Sequence, residues 1–414
     1  MIRIRRRTFG LLGGALLLFL VGTNIQSGWL FVLSSLLLGA MAGGGVIPLS
    51  IVRGLRVERR APPEAFAGDQ VPVDLVVENR GRGNRLSLVL RDPHIAPVTV
   101  LVSAIPAGER VTVRTVRVAA RRGIVEGSEV RVASTAPFGV AEARRTISAH
   151  GRTVIFPRVV PLDPLPFLAG WTGRTIDYGP SARRGSGQEV LGVREYRYGD
   201  SIRNVHWPST ARRGALVVRE MEVERPSGLV ILVDNWSDGG GEETVLDLCC
   251  TVAASVAALA YRSGHNVLLG AGERGRFDRP ALMDPRGGLT WLAGLAAPGG
   301  VSLSTVIERA SATAPGMATL VIAPSWRTNA AAALGPSVAR LVATGAPVMA
   351  VAVDAAGFGR EANALAPGEL ADLQRALATA GAEVRRVDSS GDLGPSLGRP
   401  GAPVAPLDAL GAVR

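Results

Sequence analysis

The densest set of chemically active side chains lies between residues 183 and 220, where arginine, carboxylate, imidazole and aromatic groups alternate. Guanidinium groups bind carboxylates and phosphates through paired hydrogen bonds, so this pattern favours either an internal ion-pair network or a docking surface. The residues that define this signature segment are Arg194, Glu195, Tyr196, Arg197, Gly199, Asp200, Arg203, His206, Trp207, Ala211 and Arg212.

The signature segment has a structural and a functional interpretation. In the first, Glu195 and Asp200 pair with nearby arginines, the rings of Tyr196 and Trp207 are buried, and His206 is hydrogen bonded to Asp200 or Glu195. In the second, the surplus arginines bind a partner's carboxylate or phosphate. An imidazole titrates near neutral pH, so His206 as a general base is a less favoured alternative.

A second candidate site follows the first apolar strand of the C-terminal half. In an open parallel sheet, ligands bind beyond the carboxyl ends of the strands. Asp234, Ser237 and Asp238 fall there and offer the oxygen ligands that Mg²⁺ requires. The favoured alternative is that these side chains cap local backbone and the helix that starts at Glu242 and Glu243. We therefore expect no cofactor. Mg²⁺ would be bound only if the three side chains formed an oxygen site instead of capping the backbone.

The sequence offers no familiar catalytic motif. Its four histidines are scattered without HExxH spacing, and no Cys-His signature can be read. The only cysteines, Cys249 and Cys250, are adjacent on an apolar stretch, which favours two core residues in a reducing compartment. We expect that the protein is not an enzyme and has no catalytic residues.

The N-terminal region is predicted to be a membrane anchor of two helices. No ionisable side chain occurs from Thr8 to Val52, a length sufficient for two spans of about 20 residues joined by a polar turn. Arginines flank both ends of this stretch. The positive-inside rule then places both termini and the soluble domains in the cytoplasm, with the anchor in the inner, or cytoplasmic, membrane.

Periodicity divides the chain into an anchor at 1–55, an all-β domain at 56–157, a linker with the signature segment at 158–226, an α/β domain at 227–390 and a disordered tail at 391–414. Short strands with a period of two predict an immunoglobulin-like sandwich. Within it, the runs at 71–77 and 86–90 are predicted to form a hairpin around a turn at 79–84.

Near-continuous apolar strands alternate with helical segments after residue 227, which predicts a parallel sheet covered by helices on both faces. The strands are GLVILVDNW, HNVLLG, ATLVIAP, PVMAVAVD and a last one near 382–387, with a further strand or hairpin around Phe277. Helices are expected at 243–262, near Leu289 and Ser304, at 337–343 and around Leu373. This is the Rossmann-like order of a von Willebrand A-type domain.

The formal charge is +11, and all 46 basic residues are Arg, which is typical of a GC-rich bacterial genome. A basic domain beside a bilayer is attracted to anionic lipid. The arginines are spread along the chain and no nucleic-acid-binding motif occurs, so nucleic acid is not the expected partner.

The stretch REYRYGDSIRNVHWPSTAR resembles the signature of the domain of unknown function 58 family, which precedes a von Willebrand factor A-like domain. The resemblance implies a MoxR-type AAA+ ATPase as partner, sometimes a transglutaminase-like membrane protein, and a role in complex assembly or the cell envelope. A domains bind metal through Asp-x-Ser-x-Ser, and here Trp236 and Asp238 replace the two serines.

We therefore expect a membrane-anchored cytosolic protein-interaction or assembly module that works with a MoxR-type ATPase. The first alternative is a metal-dependent adhesion or hydrolytic domain that uses the degenerate Asp-x-x-Ser-Asp site. The second is a basic protein that binds lipid or nucleic acid.

Overall fold

The computed structural model describes residues 2–4, 6–169, 190–196, 205–221, 228–235, 243–273, 280–325, 330–354, 369–388 and 393–397. The chain divides into two compact units, Met1–Arg158 and Val159–Arg414. Each unit has its own sheets and its own core.

The N-terminal unit begins with a short strand and two apolar helices: β1 (Ile2–Ile4), α1 (Arg6–Ile25) and α2 (Gly28–Ile51). The helices pack against each other, with Ser34 Oγ donating to Ala15 O at 2.9 Å and the rings of Phe19 and Phe31 5.5 Å apart. Both are long and apolar enough to cross a membrane, and most of their surface faces outward. This is consistent with the predicted anchor.

Eight strands follow the helices in the same unit and form two sheets: β2 (Leu55–Arg60), β3 (Glu64–Phe66), β4 (Gln70–Asn79), β5 (Arg85–Asp92), β6 (Val98–Ile105), β7 (Arg110–Val118), β8 (Gly123–Ser134) and β9 (Ala141–Phe156). One sheet has the order β2-β4-β7 and the other β1-β9-β8-β5-β6, with β3 also on β9. Val57 and Leu75 of the first sheet share one core with Leu88, Leu90 and Val130 of the second.

The predicted hairpin at 71–90 is wrong, because its two strands belong to different sheets. Strand β4 pairs with β2 and β7, whereas β5 pairs with β6 and β8. Buried Asn79 stabilises the crossing: its Nδ2 donates to the carbonyls of Gly83, Ile105 and Pro106, and its Oδ1 accepts from Gly81 N. A period of two identifies strands but does not select their partners.

A buried ion cluster of Arg59, Asp92 and Arg117 lies in the N-terminal unit. Both arginines donate to the Asp92 carboxylate, and all three side chains are at most 1% exposed. Arg59 also donates to the carbonyls of Gly127 and Ala149. Burial opposes the charged carboxylate, but the hydrogen bonds from Arg59 and from the main chain at position 94, with the Arg117 charge, outweigh it and lower the pKa of Asp92.

The elements of the C-terminal unit alternate between strands and helices. They are α3 (Pro166–Ala169), β10 (Val190–Glu195), α4 (Trp207–Arg213), β11 (Val217–Met221), β12 (Gly228–Val233), α5 (Glu243–Arg262), β13 (Asn266–Ala271), β14 (Ala281–Met283), α6 (Pro285–Gly294), α7 (Leu303–Thr313), β15 (Ala318–Pro324), α8 (Ala330–Ala343), β16 (Val348–Val353), α9 (Glu369–Thr379), β17 (Glu383–Val387) and α10 (Leu393–Leu397). The α/β class predicted from the sequence is confirmed for this half of the chain.

The main sheet of this unit has the order β14-β13-β12-β15-β16-β17, and only β14 runs antiparallel. Strands β12, β15 and β16 are buried along their whole length, as their apolar runs predict. Helix α5 is also apolar enough to cross a membrane, but 72% of its apolar stretch, Val245–Arg262, is buried in the protein, so it is a core helix. Phe277, near which a strand was predicted, lies outside the described residues.

The predicted disordered tail starts too early. Residues 393–397 form α10, in which Leu393 and Leu397 are 0% and 2% exposed. Two leucines four positions apart lie on one helix face, and this short pattern is easily missed among Gly and Pro residues. Residues 398–414 lie outside the described part of the chain.

Candidate functional site

The structure describes part of the signature segment. Arg194, Glu195 and Tyr196 lie at the end of β10, and His206, Trp207, Ala211 and Arg212 lie on or beside α4. Arg197, Gly199, Asp200 and Arg203 lie outside the described residues. The described part therefore comprises the strand β10, the helix α4 and the strand β11, in that order along the chain.

Strands β10 and β11 pair antiparallel, with Glu195 opposite Val217. Fully buried Val217 accepts a hydrogen bond from His206 N at 2.8 Å, and its own N–H donates to Thr210 Oγ1 at 3.0 Å. Thr210 thus ties the middle of α4 to the start of β11. Gly214 ends the helix with a φ of +68°, which glycine adopts without steric cost.

His206 precedes α4 and is held within the helix's own first turn. Its Nδ1 lies 2.8 Å from Ser209 Oγ. Within the described residues, the imidazole of His206 therefore bonds to Ser209 and not to Glu195, one of its two expected partners. The other, Asp200, lies outside the described residues. The His206 side chain is half-buried, so its contacts favour a local positioning role over that of a general base.

Helix α4 presents its side chains to solvent, with no residue of the helix buried. Trp207 is 63% exposed and the neighbouring Leu216 is 46% exposed, while Arg212 and Arg213 in the last turn are also exposed. The expected burial of the Trp207 ring is therefore wrong, whereas Tyr196 is half-buried. We call Trp207, Arg212, Arg213 and Leu216 the α4 face. Exposed tryptophan and arginine are typical of protein interfaces.

The carboxyl edge of the main sheet carries the second predicted site. Asp234 follows β12 and is 2% exposed, but Ser237 and Asp238 lie outside the described residues. Beside it, β15 ends at the buried hydroxyl of Ser325 instead of a carboxylate. No group of three or more His, Cys, Asp or Glu side chains in the described part of the chain is placed to hold a metal ion. The described donors alone are a poor fit for Mg²⁺, which requires near-octahedral oxygen coordination.

Asn235 has a structural role that the sequence analysis missed. Its Oδ1 accepts from Gly272 N at 2.9 Å, its Nδ2 donates to Ala296 O at 3.0 Å, and its main-chain oxygen accepts from Gly299 N at 2.6 Å. It is 1% exposed. Asn235 therefore holds the loop after α6 against the ends of β12 and β13. Its position next to Asp234 was the available signal, but only the fold brings its partners together.

The two cysteines do not extend either site. Cys249 and Cys250 are fully buried in α5, where the sequence placed them in a core. Their burial leaves the α4 face and the carboxyl edge of the main sheet as the two candidate sites.

A family model described as "Protein of unknown function DUF58" matches residues 192–296. The matched stretch runs from β10 through the α4 face and the first half of the main sheet to just beyond α6. This match supports the family resemblance of the signature segment. The family description assigns no activity. No curated protein matches the chain.

Solved structures give only faint likenesses. The CARDB domain of the PF1109 protein from Pyrococcus furiosus is 13% identical, with a TM-score of 0.17 over 23% of this chain and 86% of that domain. A β-glucosidase from Listeria innocua is 16% identical, with a TM-score of 0.14 over 24% of this chain and 16% of the enzyme. The alkylpurine DNA glycosylase AlkC from Pseudomonas fluorescens is 9% identical, with a TM-score of 0.16 over 31% and 40%. Similarities of this size transfer neither fold nor function.

Proposed function

We propose that the protein is a membrane-anchored cytoplasmic interaction or assembly module that works with a MoxR-type AAA+ ATPase in complex assembly or cell-envelope processes. The observation that carries the proposal is the α4 face. Trp207 and Leu216 are exposed there beside Arg212 and Arg213, within the stretch that the family model matches. Tryptophan and arginine are enriched at protein interfaces and among the residues that dominate their binding energy, so we assign this face to docking.

The chemistry of the α4 face suggests what would bind it. Arg212 and Arg213 lie in the last turn of a helix, where their charge also complements the helix dipole. Their exposed guanidinium groups are suited to carboxylates, and Trp207 is suited to an apolar pocket at the centre of an interface. The expected partner surface is acidic around an apolar depression.

We further propose that residues 227–390 of the C-terminal unit form a von Willebrand factor A-like domain and that the N-terminal sheets form an immunoglobulin-like sandwich. Five parallel strands with helices between them support the first assignment. Two sheets around a shared core support the second. In this proposal the A-like domain, together with the α4 face that precedes it in the chain, docks the partner, and the sandwich acts as a spacer or second contact surface.

Capture from native membranes tests the docking assignment. Tagged full-length chains carrying wild-type sequence, Trp207→Ala, Leu216→Ala or Leu282→Ala are purified, and co-purifying ATPase subunits are identified by mass spectrometry. Leu282 is the matched control, because it is 51% exposed in the same unit but lies on β14. We expect Trp207→Ala and Leu216→Ala to lose the ATPase and Leu282→Ala to retain it. Equal capture by all four chains would reject the α4 face as the interface. Absence of the ATPase from the wild-type sample would reject the ATPase as the partner.

The cytoplasmic location is tested by topology reporters. The proposal rests on the arginines that flank the two apolar helices. A reporter that is active only in the cytoplasm should be active when fused after Arg414. Activity of a periplasm-specific reporter at the same position would reject the orientation.

A further inference from the structure

One turn of the N-terminal unit lies beside the apolar helices. The turn at 135–140, between β8 and β9, places Phe138 against Gly43 and Val140 against Gly44 of α2. A methyl group on Gly44 would come within 2.9 Å of the Val140 side chain, so the helix and the turn are in direct contact. Thr8 of α1 donates its hydroxyl to Val140 O at 2.6 Å. Both helices therefore hold this turn.

The depth of the contact follows from the length of α2. Trp29 is 83% exposed at the start of the helix, where an aromatic side chain marks a membrane interface. A hydrocarbon core of about 30 Å spans about 20 helical residues at 1.5 Å each, which puts its other boundary near residue 49. Gly44 then lies about 7 Å inside that boundary.

The charge pattern gives a second, independent limit. The first ionisable side chain after α2 is that of Arg53, which is exposed. Arg53 is nine residues beyond Gly44, or about 13 Å along the helix axis if the helical rise continues. On α2 both estimates place the contact on the lipid side of the headgroups. On α1 the contact is made by Thr8, which directly follows Arg7, so the turn lies at the boundary between headgroups and acyl chains.

The surface of the turn at 135–140 is apolar, as insertion at that depth requires. Phe138 is 55% exposed, and its ring and the side chain of Ile47, which is 41% exposed, both lie beside Gly43 of α2. Polar backbone groups must be satisfied within the protein where water is absent. Thr8 satisfies Val140 O in this way, and Gly139 N donates to Thr135 O at 2.8 Å.

We propose that the turn at 135–140 inserts into the bilayer interface as a third membrane contact, with Phe138 among the lipid acyl chains. The occupant of this surface is lipid, because the surface is continuous with the two helices that could cross the membrane. The inference rests on the anchor in the proposed function and does not involve the ATPase. Insertion of the turn would hold the two sheets of the N-terminal unit at the membrane surface, in addition to the attachment that the two helices provide.

Spin labels test the depth in full-length protein reconstituted in phosphatidylcholine and phosphatidylglycerol vesicles. Phe138→Cys is compared with Leu36→Cys on α2 and Leu101→Cys on β6, both 68% exposed in the native chain. The wild-type chain treated with the same label is the blank, because its cysteines are buried. We expect the ratio of oxygen to nickel-chelate accessibility at position 138 to be close to that at 36 and severalfold above that at 101.

The reference positions separate the possible failures. A lipid-like value at 36 with a water-like value at 138 would overturn the inserted turn and leave the anchor intact. Water-like values at both would overturn the anchor and, with it, the inserted turn. A lipid carrying a photoreactive acyl chain gives a test without substitution: crosslinks should map to 135–140 in the wild-type chain and not to β6. Crosslinks confined to α1 and α2 would also overturn the inference.

Discussion

Replacing Asp92 with Asn tests whether the buried ion cluster stabilises the N-terminal unit. The Asp92 carboxylate accepts from Arg59 Nη2 at 2.7 Å, from Arg59 Nε at 3.1 Å and from Arg117 Nη2 at 2.9 Å. Asparagine keeps the volume and one acceptor oxygen but removes the negative charge. Two guanidinium groups that are at most 1% exposed would then lack their counter-ion.

The expected loss is large because the charges cannot reach water. Removing one partner of a buried ion pair costs about 3–5 kcal/mol, against a total stability of about 5–15 kcal/mol for a domain. At about 4–8 °C per kcal/mol for a domain of roughly 100 residues, the melting temperature should fall by at least about 12 °C.

Hydrogen exchange measured by mass spectrometry on the full-length protein in detergent reports this loss strand by strand. We expect Asp92→Asn to accelerate exchange in β5 and β8, both packed in the core of this unit. The control is Asp74→Asn, which breaks an exposed pair with Arg114 of similar hydrogen-bond length and should leave exchange nearly unchanged. Equal protection in Asp92→Asn and wild-type protein would refute the account of the cluster.

Three further predictions concern His94, Asn235 and the carboxyl edge of the main sheet. Burial, with the charge of Arg59, lowers the pKa of His94 from 6.5 to about 4. The unfolded chain therefore binds a proton that the folded chain excludes between those values, and stability should fall by about 3 kcal/mol as the pH drops through this window. Denaturant midpoints should depend less on pH in His94→Gln, and an unchanged dependence would contradict this assignment. Asn235→Asp removes the donor to Ala296 O and should cost about 1–3 kcal/mol, seen as faster exchange at 295–301; wild-type exchange would argue against the clamp. Calorimetry should detect no saturable Mg²⁺ binding below about millimolar concentration, and a stoichiometric heat would favour the metal-dependent alternative.

Much of the C-terminal fold could be predicted because its signals are local. Helix α5 has apolar residues three and four positions apart, and β12, β15 and β16 are short apolar runs between polar segments. Such patterns depend only on neighbouring residues. Strand pairing does not, and the misassigned partner of β4 shows the difference.

The candidate site was predictable in location but not in exposure. The signature segment was found from its residue types, but those types left two interpretations open, and the structural one buried the Trp207 ring that the structure exposes. The bond from Val217 N to Thr210 Oγ1 ties α4 to β11, and residue types alone do not reveal such a contact. Similarly, Asp92 and Asn235 are ordinary polar residues in the sequence. Their importance comes from partners distant in the chain.

The contacts of the anchor change what the N-terminal unit can do. Strand β1 pairs with β9, so the sheet β1-β9-β8-β5-β6 receives a strand from the chain that precedes α1. Thr8 and Gly44 add contacts from both helices to Val140 at the start of β9. A flexible tether would let the sheets of the N-terminal unit move relative to the two helices, whereas these contacts fix the position of the sheets. In the proposed membrane-anchored arrangement, a partner that binds this unit would therefore be held at a defined distance from the bilayer.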